Sequence, residues 1–323
     1  HFESLKKNQN EAWQVWCQVF KNDAIRIFSK SETPKQELFF TYYRPEQRKM
    51  IPKESTTSFV YPLNTEYLSK QDGLEFNIFS NLMELPSTSP YRTVLSWKAF
   101  SKLGMDLKSF EDVVDPHLSR GTSFIAINPM IVSNALFRNG FEQADYVGHL
   151  GLRFIAEELG LISRNNPLLD PDSFSMCSYI SANSQGWLSY MAFVSNYLTK
   201  ARNLARSDES FKKLFEGSGR YFRDPEISMT PFLVERMLQI FVHESPASFA
   251  SVIQLPKPSI ERKFGGFAEL IVELMDLKYL AYKNKGDHLS AWEKKRGSIL
   301  SNRSLVYELL HLDDPSIDLR EAS

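Results

Sequence analysis

Apolar positions along the chain recur mostly at three- and four-residue intervals, the spacing that gathers side chains on one side of an α-helix. The pattern is strongest where Trp187, Tyr190, Met191, Val194, Tyr197, Leu198, Ala201, Leu204 and Ala205 trace one stripe. Residues 11–29, with Ala12, Trp13, Trp16, Val19, Phe20 and Ile27, predict a first amphipathic helix. Ser89-Pro90 reads as the cap and first residue of a helix that carries Tyr91, Val94, Leu95 and Ala99 and ends at Gly104. A short helix follows Ser109 and stops at Pro116, and two more are predicted over 130–139 and 141–160, parted by Asn139-Gly140. Asp208 caps a short helix that Gly217 stops, Thr230-Pro231 opens one through His243, and Ser245-Pro246 opens the next. Helices over 264–285, 290–300 and 304–312 complete the pattern.

One region reads differently. Leu38-Phe39-Phe40-Thr41-Tyr42-Tyr43 and Phe59-Val60-Tyr61, set between prolines, predict a small hairpin. Residues 120–129 are too short a segment to assign. The expected fold is therefore mainly α, a two-lobed helical protein with a minor β element near residues 36–62. The turn-rich segment 163–173 divides an N-terminal lobe (1–165) from a C-terminal lobe (166–312), and Asp313-Asp314-Pro315 opens an acidic tail (313–323).

Composition narrows the function classes. With 42% hydrophobic and 24% charged residues, the chain matches an ordinary globular protein, not a disordered or fibrous one. A net charge of −1 excludes a bulk basic domain, so any contact with nucleic acid must be local. The 24 Phe and 13 Tyr suit broad packing surfaces. Two cysteines exclude a disulfide framework. The sequence has no apolar run of about 18 residues to cross a bilayer and no secretion-signal order, so it is expected to be intracellular, cytoplasmic or within an assembled particle, without membrane insertion.

The search for chemistry yields little. The six histidines lack metal-ligand spacing, and Glu308 with His311 lacks the second pair that a di-iron bundle needs. Asp145 and His149, four apart, read as a local salt bridge, and Gly217-Ser218-Gly219 lacks the lysine of a phosphate loop. Ser210 and Lys213 show only a generic nucleophile-base spacing. Asp170, Asp172, Asp313 and Asp314 adjoin prolines and read as solvated turns. No catalytic residue, metal or cofactor is assigned.

What stands out is local charge. Lys200, Arg202, Arg206, Lys212, Lys213, Arg220 and Arg223 outnumber Asp208, Glu209 and Glu216 and flank Tyr221 and Phe222. Phosphate contacts from the basic groups and base stacking on the two rings would hold single-stranded nucleic acid. Tyr42, Tyr43, Arg44, Arg48, Lys49 and Lys53 would line the opposite wall of an inter-lobe basic groove. The expected function is a non-catalytic, nucleocapsid-like nucleic-acid-binding and assembly protein. One alternative is a helical scaffold that meets protein partners or its own copies through aromatic surfaces. The other is an enzyme whose site is assembled from sequence-distant residues.

Overall fold

The two stretches expected to form a hairpin run side by side in the same direction. In the computed structural model, which describes residues 34–53, 55, 57–65, 74–85, 87, 89–165, 167–219, 227–284 and 286–315, β1 (Gln36–Tyr42) pairs in parallel with β2 (Ser58–Asn64). Phe39 lies opposite Tyr61, and their rings stack 5.2 Å apart. The helix expected over residues 11–29 lies outside the described residues.

Four further strands join this pair: β3 (Tyr91–Ser96), β4 (Phe124–Asn128), β5 (Ile180–Ala182) and β6 (Ala250–Gln254). They form one sheet in the order β2-β1-β3-β5-β4-β6, in which only β5 is antiparallel to its neighbours. The fold is therefore mixed α/β, and the expectation of a mainly α protein with only a minor β element near residues 36–62 is overturned. Helix still outweighs strand among the described residues, which is why helical periodicity dominates the sequence. β1–β4 precede residue 165 and β5 and β6 follow it, yet all six share the sheet.

Thirteen helices are described: α1 (Leu74–Met83), α2 (Ala99–Leu103), α3 (Leu107–Ser119), α4 (Ile131–Leu136), α5 (Gly140–Tyr146), α6 (Leu152–Glu158), α7 (Ser184–Ser207), α8 (Glu209–Phe215), α9 (Thr230–Glu244), α10 (Lys257–Phe264), α11 (Ala268–Asn284), α12 (Asp287–Leu300) and α13 (Arg303–Asp313). Strand alternation divides them into two layers. Phe39, Phe124 and Ala126 face a core shared with α1 and α5–α9. Leu38, Phe40, Ile125 and Ile127 face the opposite core, formed with α2–α4 and α10–α13. Every residue of β4 is buried, as expected for a strand covered on both faces.

Two expected helices are corrected. Residues 91–96 form β3, and only Ala99–Leu103 is helical, closed by Gly104 at φ 63°. The segment after Ser245-Pro246 turns directly into β6. The long helix α7 agrees with expectation: Trp187, Tyr190, Val194, Leu198, Ala201 and Ala205 are buried along one side, and Asn183 caps it by accepting from the Gly186 amide at 2.9 Å. Its first turn requires glycine at 186, because a Cβ there would lie 2.0 Å from the Ser123 carbonyl oxygen. Among the described residues no helix is long and apolar enough to cross a membrane.

Candidate functional site

Five of the six strands end at one edge of the sheet, and β5, running the other way, begins there. The strand that follows β1 lies to one side of it, whereas the strand that follows β3 lies to the other. In open α/β sheets such a reversal opens a crevice beyond the carboxyl ends, where ligands bind.

The backbone at this edge is strained. Cys177 (φ 79°) and Ser178 (φ 52°), the residues leading into β5, are the non-glycine residues of left-handed conformation among those described. Each costs on the order of 1–3 kcal/mol, and such strain gathers at functional sites. Neighbouring contacts hold the pair in place. Tyr179 is buried, its hydroxyl lies 2.6 Å from the Ser96 hydroxyl at the end of β3, and its carbonyl accepts from the Ile127 amide at 2.9 Å. The side-chain oxygens of Ser175 and Ser178 are buried and hydrogen-bond to no other described protein group.

Charge converges on the same place. The Lys102 ammonium, on α2, lies 2.5 Å from an Asp314 carboxylate oxygen and donates to Cys177 Sγ at 3.4 Å. Lys98, one turn earlier, lies 3.6 Å from the other Asp314 oxygen. Lys263, on α10, donates to the Pro129 carbonyl just past β4 and to the Asp313 carbonyl. The Asp313 carboxylate accepts from the Val132 and Ser133 amides at the start of α4. The cluster thus sets three ammonium groups against two carboxylates. The nearby Glu235 carboxylate is held by Arg236 at 2.5 Å.

Lys102, the Cys177 thiol and the Tyr179 phenol keep their protons at neutral pH. Burial opposes the charge on Lys102, but the Asp314 carboxylate beside it offsets that cost and holds its pKa above the ordinary lysine value. Burial pushes the Cys177 thiol up to about 11 despite Lys102, so it is not a thiolate nucleophile at neutral pH. Burial also raises the Tyr179 phenol. Burial and the Lys102 charge lower Lys98, with Asp314 opposing them. The edge therefore offers hydrogen-bond donors and positive charge, which suits an anion.

Comparison with protein-family models, curated proteins and solved structures returns no match.

The residues expected to bind nucleic acid are only partly brought together. Arg202 and Arg206 are exposed and, four apart on α7, share a face. Lys200 lies about 200° around the helix from Arg202, and its ammonium donates to the Leu159 carbonyl at the end of α6, at 2.6 Å. On α8, Lys213 is exposed and Lys212 half-buried. Arg220, Tyr221, Phe222 and Arg223 lie outside the described residues. The second basic segment leaves β1 at the carboxyl edge, with Tyr43, Arg44, Arg48, Lys49 and Lys53 exposed. Asp313 and Asp314, expected in solvated turns, are buried instead, because lysines and backbone amides receive their carboxylates.

A cavity of about 210 Å³ opens at the opposite edge, between Arg92, Leu85, Trp187 and Leu188. Its guanidinium is already committed to Glu37, Leu82 and Leu85, so the chemistry concentrates at the carboxyl edge. Among the described residues no group of three or more His, Cys, Asp or Glu side chains is placed to hold a metal ion.

Proposed function

We propose that the carboxyl edge of the sheet binds a small molecule bearing a phosphate group, at a site assembled from sequence-distant residues. The observation that carries this reading is the strained Cys177-Ser178 pair, set beside the Lys98 and Lys102 ammonium groups where the strand order reverses. Lysine acts on phosphate as a point charge, and the Lys98 side chain, 26% exposed against 6% for Lys102, marks the open side of the site. The Ser96, Ser178 and Tyr179 hydroxyls add neutral partners for the ligand oxygens. Arg44, exposed two residues past β1, adds positive charge at the adjacent strand end.

Calorimetric titration of the full chain with inorganic pyrophosphate tests the reading, with citrate as a separate arm to distinguish phosphate from carboxylate recognition. Pyrophosphate is expected to bind, and Lys98→Ala to weaken it by about tenfold, the loss of one charge-assisted contact. The reading fails if pyrophosphate does not bind or if Lys98→Ala binds it unchanged. A labelled single strand that binds equally well to Lys98→Ala would assign polymer contact to a different surface.

A further inference from the structure

We propose that the Asp314 carboxylate is a built-in competitor for the ligand's phosphate, so that the end of α13 holds the carboxyl-edge site in check until a ligand displaces it. This inference rests on the phosphate-site reading above. A single carboxylate spans both lysines assigned to the ligand, 2.5 Å from Lys102 and 3.6 Å from Lys98, so phosphate and Asp314 compete for the same charge.

The placement of that carboxylate runs against helix electrostatics. Asp313 and Asp314 close α13, and a negative charge at the carboxyl end of a helix is unfavourable. Helix stability alone gives no reason for an acid here. Contact with the lysine pair does.

The two acids are held differently. Asp313 is fastened by two backbone amides of α4 and, through its carbonyl, by Lys263. Asp314 has already left the helix, with φ −140° and ψ 104°, and its amide makes the final bond of the helix to the Leu310 carbonyl at 3.0 Å. Withdrawal of Asp314 by rotation of its own backbone breaks one helix-end hydrogen bond and the two lysine contacts that the phosphate replaces, while Asp313 keeps α13 in place. Lys102, nearly closed to solvent, then becomes available to the anion that arrives past Lys98.

The test is calorimetric titration of the full chain with inorganic pyrophosphate, comparing wild type, Asp314→Asn and Asp112→Asn, the last removing an exposed acid beside Glu111, whose carboxylate meets Ser58 at the opposite edge of the sheet. Asp314→Asn is expected to bind about tenfold more tightly, and Asp112→Asn to match wild type. Equal or weaker binding by Asp314→Asn overturns the proposal. Because Asp314→Asn also leaves buried Lys102 and half-buried Lys98 less compensated and lowers stability, hydrogen exchange of the wild type supplies a second reading. Saturating pyrophosphate should speed exchange at the Asp314 amide, which bonds the Leu310 carbonyl, and slower or unchanged exchange there overturns the proposal. If Lys98→Ala binds pyrophosphate as well as wild type does, the site reading itself has failed. If Lys98→Ala weakens binding while Asp314→Asn does not tighten it, only the competition is refuted.

Discussion

Arg92→Ala is expected to cost about 3–5 kcal/mol of stability, the range for breaking a buried ion pair by removing one partner. The Arg92 Nε lies 3.1 Å from Glu37, whose side chain is 0% exposed. The same guanidinium donates to the Leu82 and Leu85 carbonyls at the end of α1, and the Arg92 carbonyl accepts from the Trp187 indole at 3.2 Å. Alanine would take the guanidinium from a buried carboxylate and from two carbonyls at once. In Glu37→Leu/Arg92→Met, the charge penalty disappears with the pair, so the double variant should be more stable than Arg92→Ala. It should still fall short of wild type, because methionine cannot donate to Leu82 and Leu85. Urea denaturation of the three proteins measures this order. A loss below about 1 kcal/mol for Arg92→Ala, the range of a solvated surface pair, would refute the buried-pair account.

The helices were legible where one side meets a core and the other meets water. α7 shows this best, since its stripe from Trp187 to Ala205 is interrupted by exposed Asn196, Arg202 and Asn203. The inner strands have no such contrast. In β4, Phe124, Ile125, Ala126, Ile127 and Asn128 are all buried, so there is no polar face to set the two-residue period. In β3, Tyr91, Val94 and Leu95 fall by coincidence at helical spacing behind a serine and a proline. The parallel pairing of β1 with β2 depends on a connection that carries the chain back to the starting edge, and turn residues alone do not specify that path.

The candidate site was less legible, because its residues come from four separate places in the chain. Lys98 and Lys102 resemble a solvated helix face, and the prolyl residue after Asp314 resembles the start of a tail. One signal was present: adjacent acids at the carboxyl end of a helix conflict with its dipole and imply cationic partners elsewhere in the fold. The basic and aromatic segment after β1 stood out by composition, and it leaves the sheet at the carboxyl edge, but no spacing could assign it to Lys98 rather than to Lys200. The strain at Cys177 and Ser178 carried no signal at all, since neither residue type favours positive φ.

Acidification from pH 6.5 to 4 is expected to remove roughly 3 kcal/mol of stability through His149 alone, from a folded pKa about 2.5 units below the unfolded one. The His149 ring is buried, stacks on Phe232 at 3.9 Å, and places Nδ1 2.6 Å from the Gly219 carbonyl. A carbonyl only accepts, so Nδ1 carries the proton of the neutral ring. Burial, and then the Arg236 charge, bring the pKa down from 6.5 to about 4, with Gly219 and Glu235 opposing them. Between those values the unfolded chain binds the proton and the folded one does not, so stability is complete above pH 6.5 and falls as pH drops toward 4. His149→Asn keeps an amide donor near the Nδ1 position and removes the titration. It should be less stable at pH 7, having lost the ring stack, but its stability should fall less steeply with acid. Carboxylates such as Asp145 and Asp313, raised by burial, titrate in both proteins and largely cancel in the comparison. Urea midpoints at intervals from pH 7.5 to 4 give the two profiles. Parallel profiles would mean that His149 takes up its proton without leaving its site, and the assigned cost of charging the buried ring would be wrong.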